Sequence, residues 1–261
     1  MGYNIKGNLR ACLYLDIYEA LDNVQVLIYK VLDGVDESNI PKNQLLTLSE
    51  NAIAAKEKRC LGTGFTDEDG NFGINICDLY DEGAIEIDLV VSDKLTTRKK
   101  RSNRIQFTAR RLNPIWRNNN EVKEFSWNYS FNFQFWSQVR QQFDIWTILG
   151  SVKSAADKNM VIDGVVVSAI DVDWVKDDFL GSAVSDSNGQ FRIDYKSIDF
   201  KKTYLSPLLS IETPISSIPG PGVYFKITTS EGILLYEENR AMGKTQERRN
   251  IPRCFIIDLY I

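Results

Sequence analysis

Leu61-Gly-Thr-Gly-Phe-Thr-Asp-Glu-Asp-Gly-Asn-Phe-Gly-Ile-Asn-Ile76 aligns without a gap on Leu180-Gly-Ser-Ala-Val-Ser-Asp-Ser-Asn-Gly-Gln-Phe-Arg-Ile-Asp-Tyr195, with six of sixteen positions identical. Each copy reads as strand, tight turn, strand. Asp67 and Asp186 stand where a short carboxylate can accept hydrogen bonds from the turn backbone. Gly70 and Gly189 stand where a hairpin bulge needs a positive φ. Phe72 and Phe191 follow two residues later, in position to return to a core.

The neighbouring blocks recur in the same order. Each half starts with a strand around a glycine, Ile5-Lys-Gly7 and Ile148-Leu-Gly150. A valine-rich strand follows, Val24-Gln-Val26 and Val165-Val-Val167. After the shared block comes a strand ending in Ser-acid, Ile85 to Asp93 and Val223 to Glu231. Four blocks in one order predict two tandem β-sandwich domains, 1–140 and 141–261, with a polar boundary near 137–145. Further strands are expected around 5–15, 23–32, 104–109, 146–152, 164–172 and 233–237 and at the C-terminus.

The sharpest alternation lies in 124–135. Phe125, Trp127, Tyr129, Phe131, Phe133 and Phe135 alternate with polar residues, which predicts one long strand with a single buried face. One segment departs from period two. Residues 41–58 place Leu45, Leu48, Ala52 and Ala55 at helical spacing, with Thr47 and Glu50 as a capping box, so a helix is expected inside the first domain.

Composition excludes several function classes. The 261 residues are 43% hydrophobic and carry a net charge of −4, a folded-domain profile and not that of a basic nucleic-acid binder. No run of about eighteen apolar residues is present, so no membrane span is expected. The opening residues lack an apolar signal core, which predicts a cytoplasmic protein or one released without a cleaved signal. Cys12, Cys60, Cys77 and Cys254 form no CxxC pair and are read as reduced, three of them as small core residues. Histidine is absent. That removes Ser-His and Cys-His nucleophile pairs, histidine metal ligands and histidine bases. No cofactor is implied.

The block Leu180 to Phe191, followed by Pro219-Gly-Pro-Gly-Val-Tyr-Phe225, resembles the transthyretin-like (prealbumin-like) domains and the related carboxypeptidase-regulatory-like domains. The resemblance covers 146–261 closely and 5–136 more distantly. It implies an all-β fold of two tandem transthyretin-like Greek-key sandwiches, the first divergent and carrying the helical insertion. It also implies accessory or binding roles, including association with contractile injection machines. The enzymes of this architecture, intradiol dioxygenases and hydroxyisourate hydrolases, depend on histidine, so neither activity carries over.

Several stretches are candidates for contact with partners. Arg98, Lys99, Lys100 and Arg101, with Arg104, Arg110 and Arg111, make a basic run suited to a sheet edge or an acidic partner. The matching region of the second half, Glu237-Glu238, is acidic, which fits head-to-tail self-association. Trp116 and Trp174 lie in loop-like sequence, as interface anchors, sugar platforms or packing at a domain rim. Leu208 and Leu209 belong to a long apolar loop, 201–222, expected to cover a sheet or meet a partner. Asp171, Asp173, Asp177 and Asp178 supply carboxylates that calcium could use, but the glycine and terminal glutamate of a calcium loop are missing, and a solvated strand end is the preferred reading. The expectation is a non-catalytic structural or adaptor protein that docks other subunits in a bacterial assembly, a contractile injection or secretion system being the setting the resemblance favours. The alternative is a module for carbohydrate or a small ligand.

Overall fold

The repeated block folds the same way twice. In both copies the turn aspartate accepts two backbone N–H groups through one oxygen: Asp67 from Asp69 (3.1 Å) and Asn71 (2.7 Å), Asp186 from Asn188 and Gln190 (2.8 Å each). Gly70 and Gly189 have φ of 79° and 70°. A Cβ on Gly70 would stand 2.2 Å from the Leu9 carbonyl oxygen, and one on Gly189 2.7 Å from that of Val152. The residue before each aspartate, Thr66 or Ser185, accepts from a strand amide through its hydroxyl, Val24 N at 2.8 Å and Val165 N at 3.1 Å.

The structure, a computed structural model, describes residues 2–32, 40–77, 80–93, 104–173, 176–200 and 219–261. The chain forms two compact units, Met1–Val139 and Arg140–Ile261. The first contains β1 (Gly2–Tyr14), β2 (Ile17–Ala20), β3 (Gln25–Lys30), α1 (Glu50–Glu57), β4 (Cys60–Phe65), β5 (Asn71–Ile76), β6 (Ile85–Ser92), β7 (Arg104–Leu112), β8 (Arg117–Asn119), β9 (Val122–Ser126) and β10 (Tyr129–Phe131). Helix α2 (Phe133–Gln142) follows. The second contains β11 (Ile145–Lys153), β12 (Val166–Asp171), β13 (Asp178–Val184), β14 (Gln190–Lys196), β15 (Val223–Thr228), β16 (Leu234–Glu237) and β17 (Cys254–Tyr260). The fold is all-β.

The two units share a core of strand pairings, to which the first adds β2 and β10 on β1 and β8 on β9. One sheet runs β4-β3-β6-β7 in the first unit and β13-β12-β15-β16 in the second. In the other sheet β1 lies between antiparallel β5 and parallel β9, and β11 lies between antiparallel β14 and parallel β17. Gly7 faces Phe72 and Gly150 faces Phe191 in register. A Cβ at Gly7 would meet the Phe72 ring at 2.9 Å, and one at Gly150 the Phe191 ring at 2.5 Å. The glycine therefore lets the opposing ring lie across the strand.

The cores follow from period-two burial. In the first unit Ile5, Val26, Ile28, Ile74, Ile85, Ile87, Leu89 and Phe107 are buried; in the second Ile148, Val167, Ile193, Tyr195, Phe225 and Ile227. Each such aliphatic or aromatic side chain contributes roughly 1.5–3 kcal/mol.

Four expectations are corrected. Residues 124–135 are not one strand. β9 ends at Ser126, β10 takes Tyr129–Phe131, and α2 starts at Phe133. Asn132 decides this: its side chain accepts from Phe135 N at 2.9 Å and caps the helix. A residue at every second position is also at every fourth, so Phe131, just ahead of the cap, stacks at 5.1 Å on Phe135 in the first turn of the helix while Phe133 faces solvent. Second, the two units divide at Val139 and Arg140, inside the polar stretch 137–145, but that stretch does not follow a strand: α2 occupies it to Gln142. Third, the helix expected over 41–58 is confined to Glu50–Glu57 and is capped by Ser49, whose hydroxyl accepts from Ala52 N at 3.3 Å, not by a Thr47–Glu50 box. Its buried residue is Lys56, not the apolar stripe. Fourth, of the cysteines only Cys12 is buried; Cys60 and Cys77 are exposed and Cys254 is intermediate.

Candidate functional site

The acidic run of the second unit is drawn into a corner between β12 and β13. Strand pairing sets Asp171, at the end of β12, directly across from Asp178, at the start of β13. Two like charges in that register repel. Asp171 is buried and its Oδ1 accepts from Gly222 N at 2.7 Å. Burial pushes its carboxyl up to about 6, and the nearby carboxylates of Asp173, Asp178 and Asp177 add to the rise. Asp178 Oδ2 is buried without a hydrogen-bond partner.

Asp177 has the opposite environment. Arg240 Nε donates to both of its oxygens at 2.9 and 2.8 Å, and Nη2 to Oδ1 at 2.7 Å. Tyr224 Oη donates to Oδ2 at 3.0 Å. The guanidinium holds the Asp177 carboxyl below the usual range. Burial raises the Tyr224 phenol to about 12, helped by that carboxylate. Arg240 also donates to the Asp173 carbonyl, tying the corner to the 3-10 turn Arg240–Lys244. Asp177 is thus saturated by a cation and a phenol, and Asp171 is directed at a backbone amide. Among the described residues no group of three or more Asp, Glu or Cys side chains is arranged to hold a metal. The corner is a brace.

A second brace lies under β15. Glu238, expected to be part of an acidic surface with Glu237, is instead buried. It accepts from Phe225 N at 2.9 Å and pairs with buried Arg248 at 3.0 Å. Glu237 alone remains exposed.

The first unit carries a buried polar cluster centred on Lys56, Glu86 and Asp88, none of them among the residues singled out from the sequence. Glu86 and Asp88 alternate with Ile85, Ile87 and Leu89 on β6, so they point away from the core, yet both are buried. Lys56 of α1 covers them. Its Nζ lies 2.8 and 2.9 Å from the two Asp88 oxygens, 2.6 Å from Glu86 Oε1 and 2.8 Å from Thr108 Oγ1. Arg111 pairs with Glu86, and Gln106 Nε2 donates to Asp88 Oδ2 at 2.9 Å. The two bases hold the Glu86 carboxyl below its ordinary value against the desolvation of its site. Two cations face two anions, so the amine is a counterion and not a free nucleophile. The available signal was Glu-x-Asp inside an otherwise aliphatic strand.

The other candidates divide as follows. Trp116 is packed against Tyr3, Tyr80 and Phe125, with ring centroids 5.0, 5.6 and 6.0 Å away, and presents no stacking platform. Arg98, Lys99, Lys100, Arg101, Trp174, Leu208 and Leu209 lie outside the described residues. Arg104 and Arg110 on β7 are exposed, while Arg111 is half-buried against Glu86. A shallow open depression of about 600 Å³ lies over Asn4, Asn75, Asn119 and Glu124, with no aromatic floor.

No protein-family model and no curated protein matches this sequence. Solved structures with some likeness include a 9R-lipoxygenase from Cyanothece PCC8801, 16% identical at a TM-score of 0.29 over 52% of this chain and 17% of that one. They also include the shaft pilin SpaA of Lactobacillus rhamnosus GG, 12% identical at 0.30 over 88% of both chains. The basal pilin SpaE of the same organism is 11% identical at 0.30 over 100% of this chain and 98% of that one. The chain spans only 17% of the lipoxygenase's length. At these scores the likenesses carry no argument about function.

Proposed function

We propose that this chain is a non-catalytic structural or adaptor protein built from two tandem transthyretin-like sandwiches, and that it docks other protein subunits. The observation that carries the reading is where its chemistry is spent. The buried Lys56, Glu86, Asp88, Glu238 and Arg248 are all engaged with opposite charges, and Asp177 is locked by Arg240. What stays available includes a run of three adjacent exposed aliphatic residues, Ile233 with Leu234 and Leu235 of the edge strand β16. Such edges recruit other chains. The core strand pairings common to the two units, with the shared Gly–Phe pairs and Asp turns, support the tandem reading. The setting in a contractile injection or secretion machine rests on the sequence resemblance alone.

The test is a tagged pull-down at native expression level from the source cell, with sizing and mass spectrometry. A stoichiometric set of partners or a large particle is expected. A lone monomer at low salt would overturn the proposal.

A further inference from the structure

The two units treat corresponding strands differently. β7 and β16 are each the fourth strand of the four-stranded sheet. On the side of β4 and β13 the sandwich closes on itself: Cys77 N donates to Leu61 O at 2.9 Å, and a Cβ on Gly62 or Gly181 would stand 2.8 Å from a side chain of the facing strand. The fourth strand is the open side.

In the first unit this chain covers that side itself. Thr47 bridges antiparallel to Phe107, and Leu48 N donates to Gln106 O at 2.8 Å, so the chain just ahead of α1 pairs with β7 at this point. Its Lys56 then reaches the carboxylates of β6. In the second unit β16 pairs with β15, and no other described residue pairs with it. Ile233, Leu234 and Leu235 are 59%, 50% and 47% exposed. Glu231 and Glu237 flank them, both exposed. Among the described residues this aliphatic edge is unpaired, and such an edge is a template for strand addition.

We infer that β16 is the docking edge of this protein and that its occupant is an extended segment of a partner chain, aliphatic at its centre with a basic residue beside it. The aliphatic centre of the occupant follows from the exposed Ile233, Leu234 and Leu235, and its basic residue from the exposed Glu231 and Glu237 beside them. The inference deepens the docking role proposed above and rests on it.

The experiment uses the intact chain and a fluorescein-labelled peptide of its own residues 42–50, Lys-Asn-Gln-Leu-Leu-Thr-Leu-Ser-Glu, read by fluorescence polarisation. Saturable binding is expected, weakened at least tenfold by Leu235→Lys. Glu237→Lys, a surface change that leaves the apolar edge intact, is expected to weaken it less and to reduce its salt dependence. Absence of binding, or binding that both variants leave unchanged, overturns the inference. Light scattering on the same samples covers the other occupant: a concentration-dependent dimer abolished by Leu235→Lys would make a second copy the cover and overturn the assignment to a partner strand. Stoichiometric partners in the pull-down alongside a failed peptide assay would refute the edge and leave the docking role standing.

Discussion

Replacing Asp171 by Asn removes a buried carboxyl whose ionisation opposes the fold. Its group titrates near 6 in the folded chain against an ordinary value of 3.8. The folded state therefore binds the proton more tightly than the unfolded state. The stability this lends is present below about pH 4 and is lost as pH rises through about 6. A shift of about two units corresponds to at most ~3 kcal/mol at pH 7.5, and partial screening at the corner lowers that to about 1.5–3 kcal/mol. Asn keeps an oxygen for Gly222 N and cannot ionise. Urea unfolding of the intact chain at pH 4.5, 5.5, 6.5 and 7.5 reads the effect. The wild type should lose stability across that series, and Asp171→Asn should lose less and exceed it at pH 7.5. Asp177 does not confuse the window: Arg240 lowers its pKa, so its contribution is lost only as pH falls below the ordinary carboxylate range. Parallel pH profiles for variant and wild type would refute the reasoning.

Lys56→Ala should destabilise the first unit by about 3–5 kcal/mol, because it leaves Glu86 and Asp88 buried with one cation fewer; denaturant midpoints check it. Gly7→Ala and Gly150→Ala should each cost about 1–3 kcal/mol or more, since the added methyl meets a carbonyl oxygen, of Trp127 at 1.9 Å and of Ile257 at 2.4 Å, as well as a phenylalanine ring. Similar losses in calorimetry would mark one role used twice. Ser49→Ala should cost about 1 kcal/mol through the lost cap on α1, measured by urea unfolding.

Most strands were legible because alternation and turn chemistry are local. The Asp-x-x-Gly hairpins needed only a carboxylate, a glycine and a following aromatic, and both formed as read. The strands at Ile17–Ala20 and Arg117–Asn119 were missed, being short and polar or exposed. The candidate sites were less legible. Asp177 read as a spare carboxylate because its cation, Arg240, lies sixty-three residues away. Glu237 and Glu238 read as one acidic patch, yet neighbours on a strand face opposite ways, and Glu238 turned to Arg248.

An all-β chain with a hairpin block used twice was readable from local sequence, because period-two burial and positive-φ glycines are properties of a few adjacent residues. The composition also determined the absence of histidine chemistry. Tertiary structure alone decided whether Phe131 to Phe135 continued a strand or began a helix, since a two-residue repeat satisfies both geometries until Asn132 caps one of them. It decided, too, that Lys56 is the buried residue of its helix. A lysine is buried only where carboxylates from another strand meet it, and no local pattern records that meeting.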